Sequence, residues 1–282
     1  MPAIIEDINF RGIPAVSLKT AGGASAVVSL LGGQVLSWQP AMGDERLFLS
    51  EKAVFDGSCS IRGGIPVCFP QFSGLGKLPK HGLLRTATWE VRQRRTEKAY
   101  AMLTLGISES EQSMSIWPSM FDAELTIVLD RGRLDVELHV ENTGHSQFAF
   151  TAALHTYLRV GEVEHARLNG LKGFQFRDAA DDNRIKTERL DGLQFDGPVN
   201  RVYHDVTRPL LLTESPRALL IESEGFPDVV VWNPWEADCA ALPDMAALDF
   251  RRMLCVEAAA ARQKVALDAG ATWFGRQTLI VQ

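Results

Sequence analysis

The sequence has little sulfur to build with. Its four cysteines, Cys59, Cys68, Cys239 and Cys255, fall in no CxxC spacing, too few and too scattered for a disulfide scaffold. It lacks any run near the ~18 apolar residues of a spanning helix. Its start, MPAIIEDINFRG, has no charged region leading into an apolar one, so no secretory signal is expected. A basic excess is also missing: 29 lysines and arginines stand against 35 acids, for a net charge of −6 and a pI near 5.6. That balance excludes a general polyanion binder. The G-x-S-x-G elbow, the P-loop, H-E-x-x-H and a strand-to-helix G-x-G-x-x-G are absent. The histidines (His81, His139, His145, His155, His165 and His204) show no metal-ligand spacing. The expectation from these absences is a soluble, cytoplasmic protein with no metal and no nucleic-acid or membrane partner.

What the chain does have is strand pattern. With 282 residues and 46% hydrophobic composition, a large core is available, and residues 1–282 read as a single all-β domain. The clearest hairpin runs from Glu124 to Glu141: Leu125, Ile127 and Leu129 alternate with polar neighbours, Asp-Arg-Gly-Arg turns the chain, and Leu134, Val136, Leu138 and Val140 resume the period of two. Residues 26–38 read as strand broken at Gly32-Gly33, which suits a bulge or a tight hairpin. Further strands are expected over 148–160, 218–223, 229–232, 253–258 and 272–281, with brief helices near 109–120 and 236–250. The polar stretch 177–200 is no convincing linker, because apolar strands resume on both sides. Strands without long intervening helices favour an antiparallel sandwich or barrel over a parallel α/β sheet.

Between Asp56 and Glu90 there is no acidic residue, yet Arg62, Lys77, Lys80, His81 and Arg85 all fall there. With five glycines and three prolines over 61–89, this is loop, and loops on rigid scaffolds often carry binding groups. Cations without a local carboxylate suit a small anion such as a phosphate; equally, they could pair with distant carboxylates or face water. In FAFTAALHTYLRV the period of two sets Phe148, Phe150, Ala152, Leu154 and Leu158 on one face, and Thr151, Ala153, His155, Tyr157 and Arg159 on the other. His155 thus sits on a face fit for a cleft wall. Glu257, after an apolar run in RRMLCVEAAA, is expected to be buried, which would raise its pKa and suit it to act as a base; a structural salt bridge with Arg251 or Arg252 is the alternative. Trp232 and Trp235 offer either a stacking platform for sugar C–H faces or core packing.

These pieces occur together in an order that resembles a known family. IRGGIPVCFPQF, LPKHGLLRTATW, ALHTYLRVG, VVVWNPW and MLCVEAA are similar to the signature blocks of the glucose-6-phosphate 1-epimerases (hexose-6-phosphate mutarotases), a branch of the aldose 1-epimerase, galactose mutarotase-like superfamily. The resemblance covers most of the chain. It implies a large antiparallel β-sandwich with its cleft on a concave face, a monomer, no cofactor and no metal. It also implies His155 and Glu257 as the catalytic pair and Arg62 and Arg85 as substrate-binding residues, with His81 orienting sugar hydroxyls. Two positions depart from the family pattern. Lys80 stands where relatives commonly have a substrate-binding Gln, and Asn200 where they have an Asp in a D-R-V-Y stretch; Asp205 is a nearby stand-in.

The activity implied is interconversion of the α and β anomers of a hexose 6-phosphate. A non-catalytic sugar-phosphate-binding module on the same fold is the main alternative. A glycoside-cleaving enzyme would need a second carboxylate facing Glu257, from Asp228, Asp238 or Asp244.

Overall fold

In the computed structural model, which describes residues 2–282, alternation of side chains lays about half of the chain into three antiparallel sheets. A four-stranded meander opens it: Ile4–Phe10, Ile13–Lys19, Ser25–Ser29 and Val35–Gln39. The outer sheet has nine strands and contains the expected hairpin, Asp122–Leu129 paired with Arg133–Glu141, beside Thr272–Val281 and Arg217–Glu224. The cleft sheet orders Arg184–Thr187, Gln175–Asp178, Val199–Tyr203, Asp228–Asn233, Met253–Leu267, Phe148–Leu154 and Val67–Cys68, with Tyr157–Arg159 also paired to Met253–Leu267. The polar stretch 177–200 contributes strands to both large sheets.

The core lies between the outer and cleft sheets. Leu125, Ile127, Leu134, Val136 and Leu138 from one meet Phe150, Ala152, Leu154, Val231, Leu254, Val256 and Ala258 from the other. Each large side chain so buried contributes roughly 1.5–3 kcal/mol. Because side chains alternate, the same strands present a second face: Ala153 and His155, Val230 and Trp232, and Cys255, Glu257, Ala259 and Ala261 lie opposite the core set. That parity positions the candidate site.

Two expected strands differ in extent. Residues 148–160 do not form one strand. The ladder stops at Leu154 and resumes at Tyr157: the Thr156 amide turns back to the Leu154 carbonyl, and Gln277 Nε2 donates to the Val256 carbonyl opposite, while the amides of His155 and Tyr157 donate to Pro66 and Gly64 in the RGGIP loop. The strand expected over 253–258 runs on to Leu267 through an irregularity opposite Thr151. There Asp228 Oδ2 accepts from the amides of Ala261 and Arg262 at 2.9 and 2.8 Å, satisfying donors that the ladder leaves free. Helix is brief, as expected: Glu111–Ile116 and Trp235–Ala241. No helix is long and apolar enough to cross a membrane among the described residues.

Candidate active site

The break in the strand aims His155. Its backbone is tied to Pro66, and its ring stacks on Tyr157 at 4.8 Å and 11°. His81 and Trp232 approach edge-on at 5.3 and 6.0 Å. From the neighbouring strand, Glu257 sends Oε1 to within 3.4 Å of His155 Nδ1. Both groups are buried, at 8% and 1% exposure, and neither His155 Nδ1 nor Glu257 Oε2 has a hydrogen-bond partner among the described residues.

Burial determines how this pair holds its proton. It pushes the Glu257 carboxyl well above the usual carboxylate range. It pushes the His155 imidazole well below its ordinary value, and His81, Arg62 and Arg85 add to that depression by repelling an imidazolium. Burial thus works against charge on both members of the pair. Neither Arg251 nor Arg252 salt-bridges Glu257, since these pair with Glu162 and Glu164.

Glycine lets the RGGIP loop come close. Gly63 and Gly64 have φ of +116° and +62°, and a Cβ on either would run into the carbonyls of Phe48 and Val35 respectively. The loop carries Arg62, whose Nε donates to Asp244 Oδ2 at 3.0 Å and whose NH1 donates to the Tyr157 hydroxyl at 3.0 Å. Despite its burial, Tyr157 and Asp244 hold the guanidinium charge more firmly than usual. The absence of local acids thus overstates the field at Arg62, because a carboxylate 182 residues away meets it. Lys77, Lys80 and Arg85 stay out of every ion pair among the described residues. Arg85 is half-buried and donates to the Lys80 carbonyl at 3.1 Å.

His81 is neutral. Burial, then Arg85, Lys80 and Arg62, press its pKa down to about 3. Its Nδ1 receives the Ser73 amide at 3.3 Å and lies 3.2 Å from Cys68 Sγ. A backbone N–H can only donate, so the ring proton belongs on Nε2, available to a ligand oxygen.

The remaining candidates separate. Trp232 stands at the pair, whereas Trp235 packs on Phe250 at 5.2 Å. Asn200 is exposed, in register with Trp232, while Asp205 is engaged with Arg262 at 3.0 Å. Asp228 holds the strand irregularity, Asp244 holds Arg62, and Asp238 lies on the short helix Trp235–Ala241. His155 is the only group at ion-pair distance from Glu257 among the described residues. His155, Cys255 and Glu257 bring one ligand atom each within 4.8 Å of one another. A tetrahedral zinc needs donors roughly 3.5 Å apart, so the three would have to draw together to hold one. A cavity of about 840 Å³ is lined by Leu83, Leu84, Thr86, Ser110 and Phe121. None of the site residues lines it, so chemistry rather than volume marks the site.

The aldose 1-epimerase family model matches residues 14–279. The chain belongs to that family. A protein of Cenchrus ciliaris named "putative glucose-6-phosphate 1-epimerase" is 34% identical over 95% of this chain and 84% of its own length. An Escherichia coli protein of the same name is 30% identical over 84% of this chain and 80% of its own length. Among solved structures, a mutarotase described as putative from Salmonella typhimurium superposes with a TM-score of 0.92 at 25% identity, covering 99% of this chain and 93% of that one. Galactose 1-epimerase from Lactobacillus acidophilus shares the fold, with a TM-score of 0.77 at 12% identity and 99% of both chains covered. For this aldose 1-epimerase family member, a sugar mutarotase, the fold expected from sequence is the fold found.

Two residues of the candidate site carried little signal in the sequence. Tyr157 stood on the right face but was given no role; its spacing of two from His155 was the available signal. Asp244 was weighed only as a partner for Glu257, and nothing in the sequence ties it to Arg62.

Proposed function

We propose that the protein interconverts the α and β anomers of a hexose 6-phosphate, glucose 6-phosphate first among them. The observation that carries this reading is a buried His155–Glu257 pair with Arg85, a cation outside every ion pair among the described residues, close enough to oppose charge on His155. Glu257, as carboxylate, takes the proton of the C1 hydroxyl. The C1–O5 bond breaks, and O5 receives a proton from the imidazolium of His155. The aldehyde rotates about C1–C2, and the steps reverse to close the other anomer, restoring both groups. Acid and base steps of this kind contribute about 10²–10⁴-fold each. Arg62, Arg85 and Lys80 hold the phosphate, His81 Nε2–H and Asn200 meet sugar hydroxyls, and anchoring away from C1 supplies positioning.

The non-catalytic alternative is disfavoured by Glu257 itself, since a buried carboxyl without a full hydrogen-bond set costs stability that a simple binder has no reason to bear. Two-dimensional exchange NMR on glucose 6-phosphate tests the reading: protein should accelerate α/β exchange above the buffer rate. An unchanged rate sinks it, and equal turnover of free glucose removes the phosphate assignment.

A further inference from the structure

In a hexose 6-phosphate the ring oxygen and the phosphate are separated by only C5, C6 and the ester oxygen. An acid placed at O5 must therefore sit close to the cations that hold the phosphate. The site has this arrangement. His155 is faced by Glu257 and Cys255 from the Met253–Leu267 strand, by Tyr157 beyond the strand break, and by His81 from the 79–88 loop. Arg85 follows on that loop, and Arg62, with its partner Asp244, reaches Tyr157 from the RGGIP loop. Cations near an acid oppose its charged form, so an empty phosphate site works against the form of His155 that catalysis requires. Nδ1 and Oε1 lie 3.4 Å apart, so a small approach of the two groups lets one proton pass between them.

Building on the proposed phosphosugar activity, we infer that the substrate's own phosphate arms the acid. A dianion held by Arg62, Arg85 and Lys80 offsets their charge and moves the pair's single proton from Glu257 Oε1 to His155 Nδ1. With the ring's own proton on Nε2, this transfer yields imidazolium and carboxylate together, with no net proton uptake. The Glu257 Oε2 edge, unpartnered in the free protein, is left to take the C1 hydroxyl proton. Phosphate thus raises turnover as well as affinity, and a neutral sugar binds to a pair whose proton is on the wrong member.

Inorganic phosphite dianion, supplied as a separate piece with free glucose, tests this. Saturating phosphite should raise protein-catalysed anomer exchange of free glucose about tenfold or more, the ratio that one pKa unit represents, above the summed rates with protein alone and with phosphite alone. In histidine-¹⁵N-labelled protein at constant pH, the His155 nitrogens should move from the neutral to the imidazolium pattern as phosphite is added. An additive rate, an unmoved His155 signal, or failure of phosphite to compete with glucose 6-phosphate overturns the inference. If glucose 6-phosphate itself is exchanged normally in that case, the proposed function stands. If it is not exchanged at all, both fall.

Discussion

Glu257 and His81 are the residues at which acid–base behaviour is most exposed to test. A neutral isostere suits the buried Glu257 position in the resting protein, so Glu257→Gln should lose about 10²–10⁴-fold in exchange rate while its melting temperature stays at or above wild type. A melting temperature several degrees lower would mean that the carboxyl is structural. The pH dependence follows from the signs. The Glu257 pKa is raised on folding, so its contribution is full below the ordinary carboxyl value and is lost as pH rises through the folded pKa. The His81 pKa is depressed, so its contribution is present above about 6.5 and is lost as pH falls toward about 3. Urea denaturation across pH should therefore show His81→Gln flattening the acid limb and Glu257→Gln flattening the alkaline one. Parallel curves for either variant and wild type would contradict these assignments. The position of His155 opposite the core face and the burial of Glu257 were legible in the sequence, from the period of two in FAFTAALHTYLRV and the apolar run before Glu257. Tyr157's stacking and the Asp244–Arg62 pair were not, since both depend on where distant loops land.

At the scale of elements, the RGGIP loop and the Met253–Leu267 strand do the positioning. Gly64→Ala adds a methyl where φ is +62° and the Val35 carbonyl already stands. It should cost at least ~1 kcal/mol and cut exchange, because Arg62 and the carbonyls that hold His155 and Tyr157 belong to the same loop; a silent substitution would show that the loop is slack. Asp228→Ala strips the acceptor from two strand amides and should destabilise by about 1–3 kcal/mol, read as a lower urea midpoint. The outer sheet was readable to the residue at Thr272–Val281. Phe148–Val160 was not, because the turn of the Thr156 amide out of the ladder leaves the apolar pattern intact.

For the molecule as a whole, the Arg62–Asp244 bridge joins segments 182 residues apart. Asp244→Asn removes the charge that steadies Arg62 and should raise KM for glucose 6-phosphate about tenfold with a smaller change in kcat. A kcat-only effect would place Asp244 in the chemistry instead. The wider architecture has a consequence for how the chain can vary over generations. Val256 and Glu257 are neighbours in sequence, yet one belongs to the core and the other to the cleft. Substitutions can be sampled here one side chain at a time, but a single-codon insertion or deletion before Cys255 would exchange the two faces along the strand. Length variation among descendants of this chain should therefore collect in the exposed turns, while this strand keeps its register.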